Sequence, residues 1–171
     1  MTDTLLDRAL VEEATKKSGL VWVKGPAGPS RALWHVWHEG GAVVVGDGPG
    51  EQPLPALVDG AEAEVTVRSK DKGGRLVTWA ATVVELDPQS PEWEAAVAEL
   101  KGKRLNAPDG EGMTLRWARE CRVVRLVPCA GGLRPLPEGS LAAPPVPTSA
   151  TTREPIPAGL PRLLFRKRRG R

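Results

Sequence analysis

The spacing of hydrophobic positions changes period several times along the chain, and each change marks a new element. In 4–18, Leu6, Leu10 and Ala14 recur at helical spacing with Leu5 and Ala9 beside them. Asp3 suits the N-cap, Lys16 and Lys17 suit the C-terminal end of the dipole, and Gly19 is a stop. Residues 20–23 form a short apolar strand that ends in Gly25-Pro26-Ala27-Gly28-Pro29. A second strand over 31–39 turns tightly at Gly40-Gly41 into an apolar run over 42–45. Residues 46–60 hold Gly48, Gly50, Pro53 and Pro55 and read as loop.

Longer strands follow. Residues 62–70 alternate, with Ala63, Val65 and Val67 on one face and Glu64, Thr66 and Arg68 on the other. Asp71-Lys72-Gly73-Gly74 is a hairpin signal leading into 75–86, apolar on both faces and therefore a central strand. Ser90 caps a helix whose apolar stripe is Trp93, Ala96, Val97 and Leu100, ending near Gly102. Residues 114–120 add a turn of helix, and 121–127 make the last strand. About six strands with hairpin-length connections and no βαβ crossover predict a mainly β, antiparallel domain. Strands that hide their edges in so small a unit predict a barrel with two or three flanking helices.

Composition divides the chain at about residue 130. Eight of the 17 prolines fall in 131–171. So do eight of the 24 basic residues and two of the 21 acidic ones, which leaves 16 basic and 19 acidic in 1–130. The formal charge of +3 is therefore a domain of −3 joined to an extension of +6. The expected organisation is a folded domain over 1–130 and a Pro-rich, basic, disordered extension over 131–171. A basic nucleic-acid-binding domain is excluded, because the required electrostatic footprint is confined to the extension. There, Leu163-Leu164-Phe165 followed by Arg166-Lys167-Arg168-Arg169 could meet an anionic membrane or nucleic acid. No run approaches the roughly 18 apolar residues of a membrane helix. Cys121 and Cys129 lie too far apart along one strand to bridge, and a cytoplasmic location is the expectation.

The candidate chemistry is sparse. Gly46-Asp47-Gly48-Pro49-Gly50 lacks the dinucleotide-binding spacing, and Asp47 and Glu51 oppose phosphate. His35 and His38 point to opposite faces of a strand and cannot chelate one metal. A nucleophilic pairing of His35 with Cys121 is open but has no motif behind it. Trp34 shares a face with Val36 and His38, and Trp37 one with Leu33 and His35, so this strand is packed on both sides. One face is the barrel core, and the other meets a partner subunit or a flat ligand. Arg68, Lys70, Lys72 and Arg75 flank one hairpin, either as a solvated tip or as an anion site.

The order of these elements resembles the flavin-binding split β-barrels similar to pyridoxamine 5′-phosphate oxidase. The likeness covers about residues 4–129. It is carried by the N-terminal helix, Gly19-Leu20-Val21-Trp22-Val23, the Gly-Pro turn and Arg31-Ala32-Leu33-Trp34-His35-Val36-Trp37. The hairpin strands, the helix from Ser90 and Arg125-Leu126-Val127-Pro128 extend it. It implies a six-stranded split barrel in a homodimer that binds FMN, or a deazaflavin, between protomers and acts as an oxidoreductase. It places the cofactor against Arg31, His35, Trp37, Val45, Gly46 and Gln52. The family's loop cation is missing from Asp47–Pro53, so either Arg68, Lys70 or a residue of the partner chain takes its place, or the chain binds a different ligand or none. The alternatives are a non-catalytic barrel for a planar ligand such as a flavin or heme, and a scaffold acting through its basic tail.

Overall fold

The structure is a computed structural model, and it describes residues 3–105 and 109–135 of the 171. Helix α1 (Asp3–Lys17) leads into strands β1 (Leu20–Lys24), β2 (Arg31–Trp34), β3 (Val36–His38) and β4 (Gly41–Gly46). After the loop come β5 (Glu62–Arg68), β6 (Arg75–Glu85), α2 (Pro91–Lys103), a 3₁₀ turn (Gly110–Gly112), α3 (Met113–Glu120) and β7 (Arg122–Arg134). All strand pairings are antiparallel, in the order β2-β1-β5-β6-β7-β4-β3. As expected, β6 is central.

The two edge strands, β2 and β3, are consecutive in the chain. The segment 31–39, read from the sequence as one strand, breaks at His35, so its first half pairs with β1 and its second half with β4. Counted as one strand shared by both edges, it gives the expected six. The sheet is thus a curled antiparallel split barrel, and its split lies where β2 parts from β4.

Two clusters account for the packing. Val21, Val23, Leu33, Val65, Val67, Trp79 and Leu126 fill the interior, and Val11 of α1 closes one mouth. The second cluster lies outside, where Val36, Val43, Val45 and Val123 meet Trp93, Val97 and Leu100 of α2 and Trp117 of α3. Ser90 caps α2 by accepting from the Trp93 amide at 3.1 Å, with Pro91 in the first turn, as the pattern predicted. The alternation expected around the break also holds. Leu33 and Trp37 belong to the inner cluster, and Trp34 and Val36 to the outer one.

Two elements depart from the sequence reading. Helix α1 buries Val11 and Thr15 and half-buries Ala14, whereas Leu5, Leu6 and Leu10 are 79%, 71% and 49% exposed. Val11, Ala14 and Thr15 stand at i, i+3 and i+4, so the helix carries two stripes, and the narrower, partly β-branched one fits the barrel mouth. Strand β7 does not stop before Pro128 but runs to Arg134. The pairing jumps from Ala81↔Pro128 to Trp79↔Leu133, which leaves Cys129–Gly132 as a bulge opposite Ala80. Gly131 there has φ +63°, and a Cβ on Gly132 would lie 2.8 Å from the Cys129 carbonyl oxygen. The extension assigned to 131–171 lies, from residue 136 on, outside the described residues.

Candidate functional site: a locked loop and two cation–aromatic clefts

The loop after β4 is where the resemblance places the cofactor phosphate, and here it is closed on itself. The Asp47 amide donates to the Gln52 carbonyl at 2.9 Å, and the Glu51 amide to the Gly48 carbonyl at 3.1 Å. The Gln52 side chain reaches across the split. Its Oε1 accepts from the Trp34 amide at 2.8 Å, and its Nε2 donates to the carbonyls of Trp34 and Val45 at 2.9 and 3.2 Å. One carboxamide thereby supplies the ladder bonds that β2 and β4 do not make directly. Gly46 is required beneath it, because a Cβ there would lie 2.2 Å from the Gln52 carbonyl oxygen.

The two loop carboxylates are neutralised by arginines distant in sequence. Glu51, whose side chain is fully buried, sits 3.2 Å from both Arg104 and Arg116 and accepts from Trp117 Nε1 at 2.9 Å. Arg116 also grips Asp109 at 2.7 Å and the Pro49 carbonyl at 2.7 Å. The Arg116 hydrogen bond holds the Asp109 carboxyl below its ordinary range. Asp47 pairs with Arg122 at 3.0 Å and accepts from the Leu54 amide at 2.7 Å. The loop's acids are therefore structural rather than a repulsive rim, which corrects the sequence reading. With those two amides and the nearby guanidiniums already engaged, the loop does not fit an FMN phosphate.

The outer face of β2, β1, β5 and β6 offers different chemistry. The cross-strand pairs Leu20↔Trp34, Trp22↔Ala32, Trp22↔Thr66 and Thr66↔Thr78 share this face. The outer cluster covers mainly the β3–β4–β7 side, and Leu20 and Leu76 remain 49% and 54% exposed. The Arg68 guanidinium stacks 4.4 Å from the Trp22 ring centroid. It borders a cleft of about 460 Å³ with Lys70, Ser69, Ser18 and Leu20. The Arg104 guanidinium lies 5.2 Å from the Trp34 ring centroid, beside a second cleft of about 370 Å³ with His35, Lys103 and Leu105. Gly19 lines both. Each cleft thus joins an indole surface to two cations, a combination that suits a flat ligand with anionic character.

His35 sits at the strand break, with Nε2–H donating to the Thr15 carbonyl at 2.9 Å and a buried Nδ1 that has no partner among the described residues. A pair with Cys121 is therefore not formed. Burial, more than the nearby Lys103, pushes the imidazole below its ordinary range, against the pull of the Thr15 carbonyl. The unfolded chain then binds a proton that the folded chain refuses, so stability falls as pH drops below about 6.5. Urea titrations between pH 7.5 and 5 should show this slope in the wild type and a shallower one in His35→Gln. An equal slope in both would remove His35 as its source.

The eight residues named from the sequence occupy several places. Arg68 and Lys70 meet in the first cleft, and His35 lines the second. Val45, Gly46 and Gln52 form the closed seam. Trp37 packs edge-on to Trp79 at 6.3 Å beneath α1. Arg31 is exposed at the start of β2, on the face of Leu33 rather than that of Trp34. Sequence reasoning missed Trp22, Lys103 and Arg104, whose only signal was an indole on the strand after Gly19 and a basic end to α2.

Among the described residues no helix is long and apolar enough to cross a membrane. No protein-family model and no curated protein matches the sequence. Among solved structures, the heme storage protein HutZ from Vibrio cholerae aligns at a TM-score of 0.49 and 12% identity, over 69% of this chain and 87% of that one. A general stress protein 26 from Jannaschia aligns at 0.48 and 14%, over 75% of each chain. An FAD- and heme-binding protein from Mycobacterium smegmatis aligns at 0.47 and 14%, over 90% of this chain and 93% of that one. By its own strand order and shared edge strand, this chain has the split β-barrel fold that its sequence resembles.

Proposed function

We propose that the protein is a split-barrel binding module for a flat, anionic heteroaromatic cofactor, with a flavin such as FMN or a deazaflavin as the first candidate. The supporting observation is the pair of guanidinium-stacked tryptophans, Trp22 and Trp34, whose clefts share Gly19 on an otherwise acidic domain. In this reading the cofactor supplies the redox chemistry of an oxidoreductase, and Arg68, Lys70 and Lys103 hold its anionic groups, while Arg104, already paired with Glu51, acts only through its stacking on Trp34. A second copy of the chain covers the outer face, so the working unit is a homodimer. The closed loop favours a second reading, in which a planar ligand such as heme is held without turnover.

Titration with FMN, a deazaflavin and hemin, followed by tryptophan emission and the ligand's visible band, tests both readings. Saturable binding should weaken about tenfold in Arg68→Ala, which loses a cation that a bound ligand would partly desolvate. Binding of hemin alone would select the second reading, and binding of none would overturn both. Sedimentation at tens of micromolar tests the assembly, and a monomer there would remove the homodimer.

A further inference from the structure

At the mouth closed by α1, two adjoining hollows share Arg8 and Pro128. The wider, about 330 Å³, is floored by Trp37, Val127 and Pro128, with Arg8 and Glu12 on its helical wall. That volume lies in the range of small-molecule sites, and barrel mouths are among the places where such sites form. The smaller hollow, about 30 Å³, reaches Val11, Leu133 and Trp79. Trp79 is fully buried, and its Nε1–H has no acceptor among the described residues. A buried donor without a partner is costly, so an acceptor that reaches it gains more than one meeting a solvated donor.

We infer that the barrel mouth beneath α1 is a second binding site, for a small uncharged molecule with an apolar ring and a carbonyl oxygen. The ring lies against Trp37, Val127 and Pro128, and the carbonyl accepts from Trp79 Nε1–H. The charges on the helical wall argue for a neutral ligand. Asp7 and Arg8 carry opposite signs, and Glu12 is occupied by Lys16, so no net field selects an ion. The site is separate from the outer face and does not depend on the flavin reading.

Acetophenone and ethylbenzene form a matched pair of probes, with nearly the same shape and only one carbonyl between them. The ¹⁵N-labelled full-length chain would be titrated with each while the Trp79 indole cross-peak is followed. The peak is assigned from its loss in Trp79→Phe. Acetophenone should shift it saturably and bind at least fivefold more tightly than ethylbenzene, and Trp79→Phe should abolish that preference. If Trp79→Phe does not fold, the indole peak is assigned instead from its nuclear Overhauser contacts to Val11 and Leu133, and the wild-type comparison of the two probes decides the matter. A cross-peak unmoved by acetophenone, or equal affinity for both probes, overturns the proposal. A bound water detected at the indole with no response to acetophenone overturns it as well.

Discussion

Replacing Glu51 by Ala should destabilise the barrel by about 3–5 kcal/mol, the usual cost of removing one partner from a buried ionic cluster. The carboxylate is fully buried among Arg104, Arg116 and the Trp117 indole N–H. Its loss takes an acceptor from three donors at once. Arg116 would keep Asp109 and the Pro49 carbonyl, and Arg104 the Gly50 carbonyl, whereas Trp117 Nε1 would face a void. Urea unfolding should report the loss, and thermal unfolding a fall in Tm of roughly 10–20 °C. Glu51→Gln keeps an acceptor for the indole and should cost clearly less than Glu51→Ala. A double-mutant cycle with Arg116→Ala should show coupling of more than about 1 kcal/mol. If Glu51→Ala unfolds at the wild-type midpoint, the cluster does not hold the loop.

Gln52→Leu is the second large effect. The substitution preserves approximate volume while deleting every polar atom, leaving the Trp34 amide and the Trp34 and Val45 carbonyls without their partner. Gln52 is only half-buried, so water can reach part of the seam, and the expected loss is about 2–3 kcal/mol. The telling measurement is local. Amide hydrogen exchange at Trp34 should accelerate far more than at Val65 or Val83 in the interior. Uniform acceleration across all three would mean that Gln52 contributes to global stability but does not bridge the split.

Much of the fold was readable from residue patterns because the elements carry undiluted periods. The 62–70 alternation, the Asp71–Gly74 turn and the Ser90 cap each match a local rule, and each appears in the structure. The faces of Trp34 and Trp37 followed from strand alternation alone. What escaped was non-local. Nothing between Arg31 and His38 announces a break at His35, since it arises from pairing with strands on opposite sides of the barrel. Glu51 reads as an exposed acid until Arg104 and Arg116 arrive from 53 and 65 residues downstream. Helix α1 offered two stripes, and only the shape of the mouth chooses between them. The cation–aromatic clefts escaped for the same reason, because Arg68 finds Trp22, and Arg104 finds Trp34, across strands and helices.

Strand β7 pairs with β4 on one side and β6 on the other, joining Ala42↔Leu126 and Val83↔Leu126 through a single residue. The consequence concerns synthesis. Until residues 122–134 emerge, β4 and β6 each lack a neighbour, so the nascent chain carries two open sheet edges. The earlier strands can form only two separate ribbons, β2-β1-β5-β6 and β3-β4, tethered at His35. Closure is the last event the order of translation permits, and it awaits the final strand of the domain.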